Sequence, residues 1–134
     1  MEQENKLKIT TKTTKIPLYC PDNRIRVCVV DRLKDVKSFR DTVEDADQYD
    51  VADAVLFIDE SKKYTTFTMI FEREHIGAGH IAHESIHMKN HIFGSIGIEL
   101  DPANDEPEAY FMQWLVDFAT SVWKKDQERF QKDE

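Results

Sequence analysis

Residues 79–91 read GHIAHESIHMKNH, and within them His83-Glu84-Ser85-Ile86-His87 forms an H-E-x-x-H motif. On a helix, residues four apart share a face, so His83 and His87 aim their rings at one point. Two imidazoles at that spacing suit a Zn²⁺ ion and leave positions for a third protein ligand and a water. Glu84 neighbours them on the same face, where it can take a proton from a metal-bound water as general base. On a wheel of about 100° per residue, His80, His83, Glu84, His87 and His91 fall within an arc of about 100°. Ile81, Met88 and Ile92 flank that arc on one side, and Ala82, Ile86 and Phe93 on the other. Lys89 points the opposite way, to solvent. This pattern predicts a helix pinned in a core that presents its polar stripe to an interior cleft.

Outward from the motif, composition limits the possibilities. A chain of 134 residues, 40% hydrophobic and 10% aromatic, suits one folded domain over 1–134 with an ordinary core. The net charge of −8 argues against nucleic acid as the main partner and against anionic membrane surfaces. No apolar run approaches the length of a membrane span. The opening MEQENKLKIT lacks the apolar core of a secretory signal, so a cytoplasmic location is expected. In that setting Cys20 and Cys28 are expected as reduced thiols, and their spacing fits no familiar zinc-finger pattern.

The residues before the motif read as a sheet. Residues 1–6 are polar and expected to fray. Thr-rich residues 7–15 suit a strand. Cys20-Pro21-Asp22-Asn23 is turn chemistry that makes a hairpin with the strand Ile25 to Val30. Asp31 can cap an amphipathic helix over 32–44, followed by an acidic connection from Glu44 to Asp50. Ala52 to Ile58 is the next strand, and Asp59 to Lys63 a hairpin loop. Tyr64 to Glu72 returns with Phe67, Met69 and Phe71 on one face and Thr66, Thr68 and Ile70 on the other. An edge strand of such a sheet can hold an extended peptide by strand addition.

Beyond the motif, Gly94, Gly97, Asp101 and Pro102 mark a loop. Asn104 to Glu108 opens a long helix, with acids in its first turn where the dipole favours them. Phe111, Leu115, Phe118, Ala119 and Val122 form its apolar stripe. A charged tail begins at Lys124, and residues 125–134 are expected to fray. The fold class expected is α+β: a small antiparallel or mixed sheet in the N-terminal half, packed on the motif helix and a long C-terminal helix.

A third metal ligand is needed. His91 lies about 12 Å along the axis from His83, too far to share an ion with it and His87. The pattern that swings a third His back to the metal is absent. A carboxylate on the following helix is the better source, and Glu106 and Glu108 compete for the place. Glu106 lines up with Tyr110, Gln113 and Asp117 on a polar stripe, whereas Glu108 sits on the apolar stripe. If the polar stripe meets the histidines, Glu106 is the ligand and Asp117 or Gln113 can orient an imidazole. If the apolar stripe meets them, Glu108 is the ligand.

The run from His83 to Asp117 resembles a group of small phage- and prophage-type proteins. In these an H-E-x-x-H motif is followed, about twenty residues later, by [ND]-E-P-x-A-Y, here Asp105-Glu106-Pro107-Glu108-Ala109-Tyr110. The arrangement is similar to a minimal gluzincin, a zinc metallopeptidase whose third ligand is a Glu on a following helix. The resemblance implies a zincin-like motif helix, Zn²⁺ on His83, His87 and Glu106, and Glu84 as base. It favours Glu106 because the Glu before the Pro matches. It covers the C-terminal half strongly and the N-terminal sheet only in outline. One departure stands out: where thermolysin-like enzymes place a supporting Asp four residues after that Glu, this chain has Tyr110.

The function expected is therefore zinc-dependent hydrolysis of a peptide or protein substrate, in the bacterial host's cytoplasm if the phage resemblance holds. The alternative is a metal-binding phage accessory protein without turnover, since a chain this short leaves little sequence for substrate pockets.

Overall fold

The computed structural model describes residues 8–33, 54–60 and 63–130. It shows four strands and two helices: β1 (Thr10–Lys15), β2 (Arg24–Val30), β3 (Ala54–Glu60), β4 (Thr65–Glu72), α1 (Ala78–Ile96) and α2 (Glu106–Phe130). The helix expected over 32–44 falls, from 34 onward, outside the described residues, and so does the acidic connection 44–50. The frayed start expected over 1–6 lies outside them too.

The strands form one mixed sheet in the order β1-β2-β4-β3. β1 and β2 are the expected antiparallel hairpin, with Thr10 opposite Val29 and Lys15 opposite Arg24. β3 and β4 pair antiparallel, with Leu56 opposite Met69. β2 and β4 run parallel at the centre, with Val27 opposite Met69. That register puts Ile25, Val27 and Val29 beside Phe67, Met69 and Phe71, all fully buried, on the helix-facing side. Cys28, Val30, Thr66, Thr68 and Ile70 on the opposite side are buried as well. Central strands buried on both faces read as continuous apolar runs, which explains IRVCVV in β2.

The hairpin connection is tied to the helices. Ile16 N–H donates to the Asn23 carbonyl at 3.0 Å, and Asn23 Oδ1 accepts from Thr65 N–H at 3.1 Å. Tyr19 takes a left-handed backbone (φ 67°), which sends its ring toward the helix layer. There the ring meets Phe93 edge-on at 6.1 Å and stacks on Phe111 at 6.2 Å, while its hydroxyl donates to the Pro107 carbonyl at 3.1 Å.

α1 packs on β4 and β3, and α2 on β2 and β1. Ile81, Met88, Ile92 and Phe93 of α1 and Phe111, Leu115, Ala119 and Val122 of α2 complete one core with the sheet. Phe93, late in α1, meets Phe111, early in α2, at 5.2 Å between ring centroids. Arg73, just before α1, bonds Asp126 near the end of α2 at 2.8 Å. The two helices are therefore antiparallel. α1 ends at Gly97, whose left-handed φ of 79° turns the chain out of the helix and whose N–H returns to the Phe93 carbonyl.

The fraying expected over 125–134 is corrected for 125–130, where α2 continues to Phe130; residues 131–134 lie outside the described residues. Asp126 is fully buried, accepting from Thr10 Oγ1 at 2.6 Å and from Arg73 at 2.8 and 2.9 Å. Arg129 donates to the Ile9 carbonyl at 2.9 Å. The tail looked solvated because its charged groups have their partners far off in the chain, Asp126 at Thr10 and Arg73, and Arg129 at Ile9 and Thr10. Among the described residues, no helix is long and apolar enough to cross a membrane.

Candidate functional site

The motif forms one turn of α1, early in the helix. His83 and His87 stand side by side, with ring centroids 5.0 Å apart and planes 70° from parallel. The Glu84 carboxylate lies 3.9 Å from His83 Nε2 and 3.8 Å from His80 Nε2. These distances are too long for hydrogen bonds but short enough for attraction once either ring is protonated. His80 is a packing residue as much as a polar one. Its ring sits edge-on to Phe71 at 5.5 Å, and its Nδ1 lies 3.3 Å from the His75 carbonyl, which can only accept. The start of α1 is thereby anchored to β4, with Glu84 held beside it.

The face carrying these groups differs from the expected one. The buried arc of α1 is Ile81, Ser85, Met88, Lys89, Ile92 and Phe93. His83 and His87 lie across the helix from it, and the His83 side chain is 66% exposed. Ile86, expected on an apolar flank, is 49% exposed. The interior cleft is thus replaced by an outward surface. A wheel gives the angles between side chains but not which arc meets the core, and a helix lying on one layer buries a single arc.

Lys89 is the clearest correction. It was expected in solvent, yet it is 2% exposed. Its ammonium is bonded to the Glu108 carboxylate and, at 2.8 Å, to Asn90 Oδ1. Sequence offered one signal of this partnership: Glu108 sits on the apolar stripe of α2, where a carboxylate needs a cation. Ser85, inside the motif, is also fully buried, and its hydroxyl has no hydrogen-bond partner among the described residues.

The structure brings His83, Glu84 and His87 together. It does not bring the candidate third ligands to them. α1 continues from His87 to Ile96, about 14 Å along its axis at ~1.5 Å per residue, before the chain turns back. Glu106 opens α2 beyond that turn and is exposed. Glu108 is engaged by Lys89. Tyr110, Gln113 and Asp117 remain on the exposed face of α2, and His91 on the exposed side of α1. Among the described residues no group of three His, Cys, Asp or Glu side chains is placed to hold a metal ion. The two imidazoles fit the chelating half of a zinc site; the described residues do not complete it.

The chain matches no family model, and comparison with curated proteins and with solved structures finds no significant match.

Proposed function

We propose that this chain is a zinc-dependent peptide hydrolase whose working face is the exposed turn carrying His83, Glu84 and His87. One observation carries the proposal: two exposed imidazoles with centroids 5.0 Å apart, with the part-buried Glu84 carboxylate beside them. His83 and His87 are the residues that would hold the ion, and the resemblance to gluzincins names Glu106 as a third donor. Bound zinc supplies a water whose pKa is lowered to about 7. Glu84, beside His83, would accept a proton there and return it to a leaving amine. Support for a zincin-like layout comes from the motif helix lying along a mixed sheet, beside its edge strand β3.

The test pairs turnover with metal content. Purified protein with added zinc is assayed on an unfolded protein substrate. Glu84→Gln is expected to abolish cleavage and leave bound zinc unchanged; cleavage that survives Glu84→Gln rules the hydrolase out.

A second function, a metal-binding protein without turnover, is favoured by a separate observation. Both carboxylates nominated as third ligand stand away from the histidines, one exposed and one paired with Lys89. Zinc bound at His83 and His87 with no cleavage of any substrate in wild type decides for it.

A further inference from the structure

We propose that β1 is a docking edge, which takes an extended peptide of alternating acidic and apolar residues as a fifth strand. This edge is separate from the histidine turn and needs no metal. β1 pairs with β2 and ends the described sheet on the side away from α1. Its Thr11, Lys12, Thr13 and Lys15 are exposed. Ile16 N–H donates to the Asn23 carbonyl, so residue 16 aims its backbone groups at β2. Along an antiparallel pair the direction of these groups alternates. Those of Thr10, Lys12 and Thr14 therefore meet β2, and those of Thr11, Thr13 and Lys15 face outward. The Ile9 carbonyl belongs to the same outward series and accepts from Arg129 at 2.9 Å.

Charge selects the strand that fits. Residues 8–26 hold five basic side chains and one acidic, in a chain of net −8. Lys15 lies directly opposite Arg24, and Thr13 opposite Arg26, on the face away from the helices. Like charges directly opposite each other are destabilising, and carboxylates alongside relieve that repulsion. Both arginines contact neutral groups. Arg24 donates to the Asp22 carbonyl at 2.9 Å and covers the Tyr64 ring at 4.4 Å, and Arg26 donates to Thr13 Oγ1 at 3.1 Å. Lysines on an edge keep off other basic edges, a second copy of β1 included, while an acidic strand complements them. Residues opposite each other share a face, so peptide side chains opposite Thr11, Thr13 and Lys15 enter this basic side. The intervening ones point toward the helix layer. There Trp114 and Phe118 are half-buried, their rings 5.8 Å apart and 10° from parallel. Arg129 of α2 reaches Ile9 and Thr10 of the β1 end. Around the helix Phe118 stands about 20° and Trp114 about 60° from Arg129, which puts both on the β1 flank. Their open ring surface covers the apolar side chains of the peptide.

Fluorescence anisotropy tests this on the full chain in chelator, with a labelled peptide of about eight residues alternating Glu and Val. Wild type is expected to bind it, less tightly as salt rises. Binding is expected to slow hydrogen exchange at the Thr11, Thr13 and Lys15 amides, read by NMR. Thr13→Pro removes one outward N–H and leaves the β1–β2 ladder intact, a place where an edge strand tolerates proline. It is expected to weaken binding at least about tenfold, and Lys15→Glu combined with Arg26→Glu to do the same, with the fold of each checked by circular dichroism. The peptide N-methylated on alternate amides tests the same backbone bonds without any variant, and is expected not to bind. Equal binding of a Lys-Val peptide or of the N-methylated peptide overturns the proposal, as does no binding by wild type. A dimer that Thr13→Pro dissolves makes a second copy the occupant and overturns it too.

Discussion

Lys89 and Glu108 show how one residue's environment decides its role. The Lys89 side chain is almost wholly buried, and Glu108 is about two-thirds covered at the seam between the helices. Removing Glu108's charge leaves the buried Lys89 ammonium uncompensated, whereas replacing the lysine by an apolar chain of similar length removes the more deeply buried charge and leaves a carboxylate that is about a third exposed and keeps contact with water. Glu108→Gln is expected to destabilise the fold by about 2 kcal/mol, and Lys89→Met to lie within about 1 kcal/mol of wild type or above it, by urea denaturation. If Glu108→Gln costs nothing, the pair is not formed in solution. The two thiols make a second residue-scale case. Burial raises Cys20 and Cys28 above the ordinary value of 9.0; hydrogen bonds from Asn23 and Thr11 respectively pull the other way by less. Unfolded thiols ionise first, so stability is unaffected below about pH 9 and falls as pH climbs from there through the native pKa. The thiolate is the reactive form, so at pH 8 maleimide is expected to label the native protein at least about tenfold more slowly than the urea-unfolded chain.

At the scale of elements, two glycines, one inside α1 and one capping it, carry opposite expectations. Gly94 lies inside the helix with open space where a Cβ would sit. Gly94→Ala is expected to stabilise by about 0.5–1 kcal/mol, because alanine loses less backbone freedom on folding. Gly97 has equally open space but a φ of +79°, so its alanine variant is strained by the backbone alone. Gly97→Ala is expected to cost about 1 kcal/mol. Thermal melts of both variants check the signs, and a stabilising Gly97→Ala would mean α1 does not end there. The periodicity of residues 79–93 was enough to read the body of this helix, but Gly94, expected in the loop, lies inside it, since a glycine reads as a breaker until the neighbouring turns are packed; the apolar stripe of α2 was plain. The side on which α1 presents its histidines was not readable, because Lys89 counted as a solvent residue until α2 placed Glu108 against it.

At the scale of the molecule, the two ends of the described chain close on each other. Thr10 in β1, Arg73 after β4 and Asp126 in α2 share one buried cluster, and the Arg73 guanidinium also covers the Phe130 ring at 4.3 Å. Asp126→Ala leaves Arg73 without its main buried partner and is expected to cost about 3–5 kcal/mol. Because the cluster ties β1 to the entry of α1 and to the last turns of α2, the loss is expected to be cooperative. Far-UV and near-UV circular dichroism should lose signal together, at a lower denaturant concentration than in wild type. Early loss of α2 alone, with the sheet signal retained, would show that the cluster fastens the helix but does not close the fold.

Much followed from the sequence by itself. Alternation and turn chemistry located all four described strands and the first hairpin, because strand period and Pro-Asp-Asn turns are local properties. Helical period located α1 and α2, and placed His83, Glu84 and His87 on one turn, since an i, i+4 spacing needs no tertiary contact. Only the tertiary structure decided the rest. It set β2 and β4 parallel at the centre of the sheet, ran α2 on to Phe130, buried Lys89 against Glu108 and turned the histidines outward. Each of these depends on a partner distant in the chain, and the free energy of burying or pairing a side chain belongs to the contact it makes rather than to the residue alone.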